Sequence, residues 1–465
     1  MATKLTKNNS LLEQLQNKIY NYRNHVDYLE IRLEQSESTT ISFYGLQLNT
    51  INSHFSLAGS IRACHKGGWS FVTFNNISEL SNRIEEAISH AYLVGKKTTQ
   101  LAPIQPIQDY VAVKFGRDPR GISLEEKRQL IEGYNQLLLD FDPQIQATNV
   151  NYRDRFAITY FVNSIGSCIA QERLDVHGKF RAIACGEGSL VKQGIKSISS
   201  RTNYNTLCNI DKQVIGVAEQ AIRQLEAKPV KGGQYTVLLD PHLAGVFIHE
   251  AFGHLSEADS IYENPQMEEL LKLGKPIGTE KLNVVDDATI NGLSGSIKYD
   301  DEGVSGQRKY LVKNGVLTAH LHNRETSRKM REAPTGNARA INAMYPPIVR
   351  MTNTAIEAGD LPVEEMIKDI DLGVYAIGSL GGQTNGEMFT FAAAEGYMIR
   401  NGKIAESVSD VTLTGNVFQT LKDIEAIGND FTYSSGSCGK AGQAPLPVSI
   451  GSPHLMIKNV VVGGH

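Results

Sequence analysis

Cysteine is scarce in this chain of 465 residues: there are five, odd in number and widely scattered. That excludes the paired framework of a disulfide-stapled secreted domain and fits a reducing compartment. Neither sign of charge is in surplus. The 46 basic and 50 acidic residues leave a net charge of -4, so there is no electrostatic footprint for direct nucleic-acid binding. No apolar run approaches the ~20 residues of a membrane span. Residues 1–16 hold lysines and asparagines but no apolar signal core, so the expected location is the cytoplasm, with no membrane partner. Internal repeats and low-complexity segments are also missing. What is present is ordinary: 41% hydrophobic and 21% charged residues, enough core for two or three globular domains.

The two halves differ in texture. In the first, a helical pattern over residues 11–23 leads into alternating runs such as Tyr28-Leu29-Glu30-Ile31-Arg32-Leu33 and Gly68-Trp69-Ser70-Phe71-Val72-Thr73-Phe74. Such alternation predicts an antiparallel sheet with one solvated face. Amphipathic helices are expected over residues 78–96 and 123–140, the latter with a Ser123/Glu126 capping box, and another over 211–225. Lys228-Pro229-Val230-Lys231-Gly232-Gly233 reads as a linker. Beyond it, Asn314-Gly315 and Asn401-Gly402 mark hairpin turns between strand-like runs. The expected fold class is α+β: an N-terminal mixed α/β domain with an antiparallel sheet (1–230), then a β-rich domain (231–465) carrying a metal-binding helix.

That helix contains His249-Glu250-Ala251-Phe252-Gly253-His254. Two imidazoles and a carboxylate within one helical segment are the equipment of a metal hydrolase: two nitrogen ligands, and a carboxylate to take a proton from an attacking water. The common zinc-protease spacing, i and i+4, puts its histidines about 40° apart on an ideal helix, whereas i and i+5 puts them about 140° apart. Both can reach one ion only if the helix widens into a π-type turn or ends near Gly253. By chance alone, a chain with 12 histidines shows this pattern in roughly one case in fifty. Context favours the metal reading over a helix with one buried and one surface histidine. A buried-strand run, Tyr235-Thr236-Val237-Leu238-Leu239, leads into Asp240-Pro241, an N-cap followed by proline at the first helical position.

Catalytic zinc usually has three protein ligands. Glu257 and Asp259 are nearby candidates, with a solvated helix end as the alternative. Cys438 stands among small polar residues in Ser434-Ser435-Gly436-Ser437-Cys438-Gly439-Lys440, unlike a packed core cysteine, and Lys440 would favour its thiolate. Core packing suits Cys64, Cys168, Cys185 and Cys208 better. His320 and His322, two apart, read as a half-exposed strand face in preference to a second metal site.

These motifs come in a recognisable order. The His-Glu-x-x-x-His helix is followed by Tyr299-Asp300-Asp301-Glu302-Gly303, Gln307-Arg308, Asn314-Gly315-Val316-Leu317, Thr335-Gly336-Asn337, Arg350-Met351-Thr352-Asn353-Thr354 and Cys438-Gly439-Lys440 with Gly442-Gln443. In this the chain resembles the TldD/PmbA ("modulator of DNA gyrase") family, in its metal-bearing TldD-type branch. The resemblance spans nearly the whole chain and is strongest after about residue 230. It implies a cytoplasmic zinc metallopeptidase acting on peptides or unfolded polypeptides. One Zn2+ per chain would be held by His249, His254 and Cys438, with Glu250 as the catalytic glutamate. It also implies a dimer around an internal chamber, made with a PmbA (TldE)-like subunit, or a homodimer when the chain is alone. Asn337, Arg350 and Asn353 are candidate oxyanion donors or substrate clamps, with a structural loop role as the alternative. Ser437 before the cysteine and the first half of the chain depart from the family pattern. Two other classes compete: a non-proteolytic regulator of gyrase or of a toxin–antitoxin system with structural zinc, and a zinc amidohydrolase acting on a small molecule.

Overall fold

A computed structural model describes residues 2–95 and 100–463. The first half is built on one seven-stranded sheet. Helix α1 (Ala2–Tyr22) precedes strands β1 (Tyr28–Tyr44), β2 (Gln47–His65) and β3 (Gly68–Phe74). Helix α2 (Leu80–Val94) follows, then β4 (Gln108–Val111), helix α3 (Leu124–Leu139) and the long strands β5 (Ile145–Asn163) and β6 (Cys168–Cys185). Strand β7 (Val191–Ser200) and helix α4 (Asp211–Glu226) end this half. The order is β3-β2-β1-β5-β6, and β4 and β7 share the outer edge of β6. All pairings are antiparallel except β4 with β6, which is parallel.

The sheet is covered more fully than its alternation suggests. Leu29, Ile31 and Leu33 of β1 pack with Ile84, Ala87 and Ala91 of α2, whereas Tyr134 and Leu138 of α3 and Val214 and Ala218 of α4 pack on β5 and β6. Ser123 Oγ accepts the Glu126 N–H, capping α3 as expected. Helix α2 starts later than residue 78: Asn76 caps a short 3-10 turn by accepting the Ser78 N–H. Lys96, the far end of the expected helix, lies outside the described residues.

From residue 228 onward the chain enters other sheets. Strands β8 (Lys228–Pro229) and β9 (Gly233–Leu239) join a ten-stranded sheet. In it β9 is central, parallel to Leu372–Ile377 and antiparallel to Leu455–Gly463. A six-stranded sheet ends in the hairpin Thr432–Lys440/Gln443–Ser452. Helix α5 (Pro241–Ile248) follows β9 directly and packs with the apolar residues of both sheets. Asn314-Gly315 and Asn401-Gly402 have positive φ at both positions, as a tight hairpin turn requires. Among the described residues, no helix is long and apolar enough to cross a membrane.

Candidate metal centre

Asp240 fixes where α5 begins. Its side chain accepts the Leu243 N–H at 2.9 Å and the Gly378 N–H at 2.9 Å, tying the cap to the neighbouring loop. Pro241 occupies the first turn, where its missing N–H costs nothing. Leu243, Ala244, Phe247 and Ile248 bury one face, and Gly245 lets the helix approach Gly451 closely. After Ile248 the helix widens. His249–Gly253 is a π turn, in which the His254 N–H bonds back to the His249 carbonyl, five residues away. This register stacks residue i+5 above residue i. The two rings consequently lie 5.3 Å apart, centroid to centroid.

Cys438 arrives from the strand Thr432–Lys440, paired with Leu446 across the hairpin. Its Sγ is 3.2 Å from His254 Nε2. Ligand atoms of His249, His254 and Cys438 all lie within 4.8 Å of one another, near the spacing that one ion with bonds of about 2.0–2.3 Å draws together. His249 supplies an independent test of fit. It is 3% exposed, and among the described residues neither ring nitrogen makes a hydrogen bond of normal geometry, the Cys438 thiol being a close neighbour. A buried imidazole with both nitrogens unsatisfied is costly unless an ion takes one of them.

Around these three lies a supporting layer. His254 Nδ1 contacts Glu257 Oε2 at 3.0 Å, which leaves Nε2 to face the thiol. Glu257, 1% exposed, also pairs with Lys440 Nζ at 2.9 Å, and Lys440 reaches Asp259 at 2.5 Å. A carboxylate behind a histidine is the usual device for fixing a metal ligand's tautomer and ring orientation. Burial pushes the Cys438 thiol up, but His249 and His254 outweigh it and bring it down to about 5. Burial pushes His254 down, yet its contacts with Cys438 and Glu257 lift it to about 10. Glu250 Oε2 is 3.8 Å from His254 Nε2. Burial raises the Glu250 carboxyl above its ordinary range, against the pull of both histidines.

The structure thus brings His249, Glu250, His254 and Cys438 together. It does not bring Asn337, Arg350 or Asn353 to a substrate surface, because each is almost wholly buried in the scaffold. Asn337 donates to Asp286 and to the Arg350 carbonyl. Asn353 donates to the Asp287 carbonyl and Ser296, and accepts from the Gly295 N–H. Arg350 donates to the Gln443 carbonyl. These side chains bond to buried backbone and carboxylate groups within the scaffold. Glu257, for which the sequence left a ligand or a solvated helix end open, is buried behind His254 and bonds to its ring. Its three-residue spacing from His254 is the signal that could have shown this. His320 and His322 are also buried, at 2% and 1% exposure, and stand outside the regular strands.

Fold and centre together define a class: a mixed α/β protein in which a widened His-Glu-x-x-x-His turn meets a cysteine from a β-hairpin. Comparison with known proteins gives the family. Residues 232–464 match the PmbA/TldA metallopeptidase C-terminal domain, residues 117–228 its central domain and residues 29–91 its domain 1. A metalloprotease of Synechocystis sp. is 47% identical over 445 residues, covering 95% of this chain and 96% of its own. A zinc metalloprotease TldD homolog of Saccharolobus solfataricus is 32% identical over 414 residues, covering 87% and 90%. The chain belongs to the TldD/PmbA family, on its TldD side. Among solved structures, TldE from Thermococcus kodakarensis superposes with a TM-score of 0.77 at 18% identity, covering 97% of this chain and 100% of its own. A Thermotoga maritima protein gives 0.79 at 21%, covering 97% and 100%. At these identities the likeness is one of fold.

Proposed function

We propose that this chain is a zinc metallopeptidase that cleaves peptides and unfolded polypeptides, with His249, His254 and Cys438 holding one zinc and Glu250 acting as general base. The observation that carries this reading is the buried, unsatisfied His249 imidazole beside His254 and Cys438, with Glu250 next to it in the same turn. Bound there, zinc would supply Lewis-acid polarisation of the scissile carbonyl and a more acidic attacking water. The chain's residues do the rest. Glu250, whose carboxyl is already raised by burial, takes the proton from the attacking water and returns it to the leaving amine. Glu257 and Lys440 hold His254 in the orientation that the centre needs. Among the described residues three donors gather, and not four, which leaves a coordination position open for substrate and favours catalysis over a closed structural site.

The neighbouring strand supports the choice of substrate. Gly381–Asn385 ends the ten-stranded sheet, is largely exposed, and lies against the π turn. A free strand edge binds an extended peptide through its backbone, largely without regard to sequence. The reading includes a cytoplasmic location and a TldE-like partner subunit. Glu250→Gln tests it, because shape is kept while the proton acceptor is lost. The variant should hold as much zinc as the unaltered chain and cleave an unstructured peptide slower by about 10²–10⁴. Undiminished cleavage would remove Glu250 from the mechanism.

A further inference from the structure

A second group of ligating side chains lies apart from the centre. His320, His322 and Glu332 offer ligand atoms within 4.8 Å of one another. His320 Nδ1 is 2.9 Å from Glu332 Oε1, and His322 Nε2 is 3.1 Å from Glu332 Oε2. The opposite ring nitrogens already have partners. His320 Nε2 lies 2.8 Å from the Leu271 carbonyl, which can only accept, so that nitrogen carries the hydrogen. His322 Nδ1 lies 3.0 Å from Thr326 Oγ1, whose own hydrogen goes to the Asn323 carbonyl at 3.4 Å. With the hydroxyl turned to that carbonyl, Nδ1 is the donor and Nε2 is left to face Glu332.

In a neutral imidazole with its hydrogen so placed, the other nitrogen presents a lone pair. His320 thus aims a lone pair at the carboxylate, and His322 aims a second one in the tautomer whose Nδ1 donates to Thr326. Two lone pairs facing an anion inside the protein require positive charge between them: either two extra protons or one cation. We infer that His320, His322 and Glu332 form a second site for a first-row divalent cation of the zinc type, separate from His249, His254 and Cys438. Two imidazoles and a carboxylate are a donor set suited to such ions. Leu271 and Thr326 act as the outer partners that fix the tautomer of a ligating histidine.

Two further observations fit. The site borders a pocket of about 460 Å³, lined among others by Tyr262, Glu268, Lys272 and Lys329, which leaves room for water or a small anionic ligand at a fourth position. The histidines also bracket Leu321, whose N–H donates to the Ser256 carbonyl and whose carbonyl accepts from the Ala258 N–H. Ser256 and Ala258 in turn bracket Glu257, the residue that orients His254. A cation at His320 and His322 would brace the segment that positions the first centre.

Metal counting on the full chain tests this. Chelator-treated protein is titrated with cobalt(II) and with zinc(II). The unaltered chain should take two equivalents, with a near-ultraviolet thiolate-to-cobalt charge-transfer band from Cys438. Glu332→Gln, nearly isosteric, should take one equivalent and keep the band. His249→Ala/Cys438→Ala should take one equivalent without the band, and zinc should raise its melting temperature, an effect that adding Glu332→Gln abolishes. Far-ultraviolet circular dichroism checks that each variant is folded. One equivalent with the band in the unaltered chain, or two in Glu332→Gln, would overturn the inference. One equivalent without the band, abolished by Glu332→Gln, would uphold this site and remove Cys438 from the other.

Discussion

Cys438 and His254 form a contact that shifts the protonation of both. With the thiol brought down to about 5 and the imidazole lifted to about 10, the metal-free pair is a thiolate against an imidazolium at neutral pH. A metal needs both donors deprotonated. The thiolate is ready, whereas His254 must lose its proton. Zinc binding at pH 7 should therefore release about one proton at this centre, measurable by calorimetry in buffers of different ionisation enthalpy. In His254→Ala the thiol loses one of the two partners that lower it, so the proton released should then come from Cys438. The four side chains that the structure gathers, His249, Glu250, His254 and Cys438, were legible in the sequence, because they carry chemistry that few other residue types offer. Glu257 was not. It looks like a surface acid until Lys440, far downstream, folds over it and buries it. For Asn337, Arg350 and Asn353 the sequence left a substrate clamp and a structural role open, and their buried bonds to backbone carbonyls favour the second.

The π turn was the most legible structural feature, since a five-residue interval between two ligands is incompatible with a regular helix. It also has a weak point. Gly253, at the end of the turn, lies against Met351, and a methyl group there would overlap Met351 Sδ in a position that is wholly buried. Gly253→Ala should cost roughly 1–3 kcal/mol through overpacking and weaken metal binding by displacing His254. Adding Met351→Ala should restore much of the metal affinity. Titration of both variants by metal and by denaturant would check this. The hairpin turns at Asn314-Gly315 and Asn401-Gly402 were equally plain, because their dipeptides supply positive φ. The strand bearing Cys438 was not plain. Ser434-Ser435-Gly436-Ser437 has little intrinsic preference for extended structure, and what extends it is the partner strand Gln443–Ser452.

The two halves of the chain are joined by buried charge. Arg62 pairs with Glu30 at 3.3 Å and with Glu302 at 3.0 Å, and Arg32 pairs with Asp301 at 2.8 Å. Burial already raises the Glu30 carboxyl, and Arg62 is the main group opposing it. Arg62→Met should cost roughly 3–5 kcal/mol by leaving two buried carboxylates uncompensated. A carboxyl whose folded pKa is raised stabilises the fold at low pH and loses that contribution as pH rises. The deficit in denaturant unfolding should accordingly be larger at pH 8 than at pH 5. Assembly is checked differently. Activity on an unfolded peptide should rise when a TldE-like subunit is added to this chain at matched zinc content, and equal turnover would make the partner dispensable. The position of Cys438 also sets a timetable. It lies 184 residues after His254, so on a ribosome adding about 5–20 residues per second the histidines emerge about 10–40 s before the cysteine. Strand β9, from which the helix rises, waits longer still, because one of its two neighbours is Leu455–Gly463, the last strand described. The cluster therefore cannot close until Cys438 and the strand Leu455–Gly463 have left the ribosome.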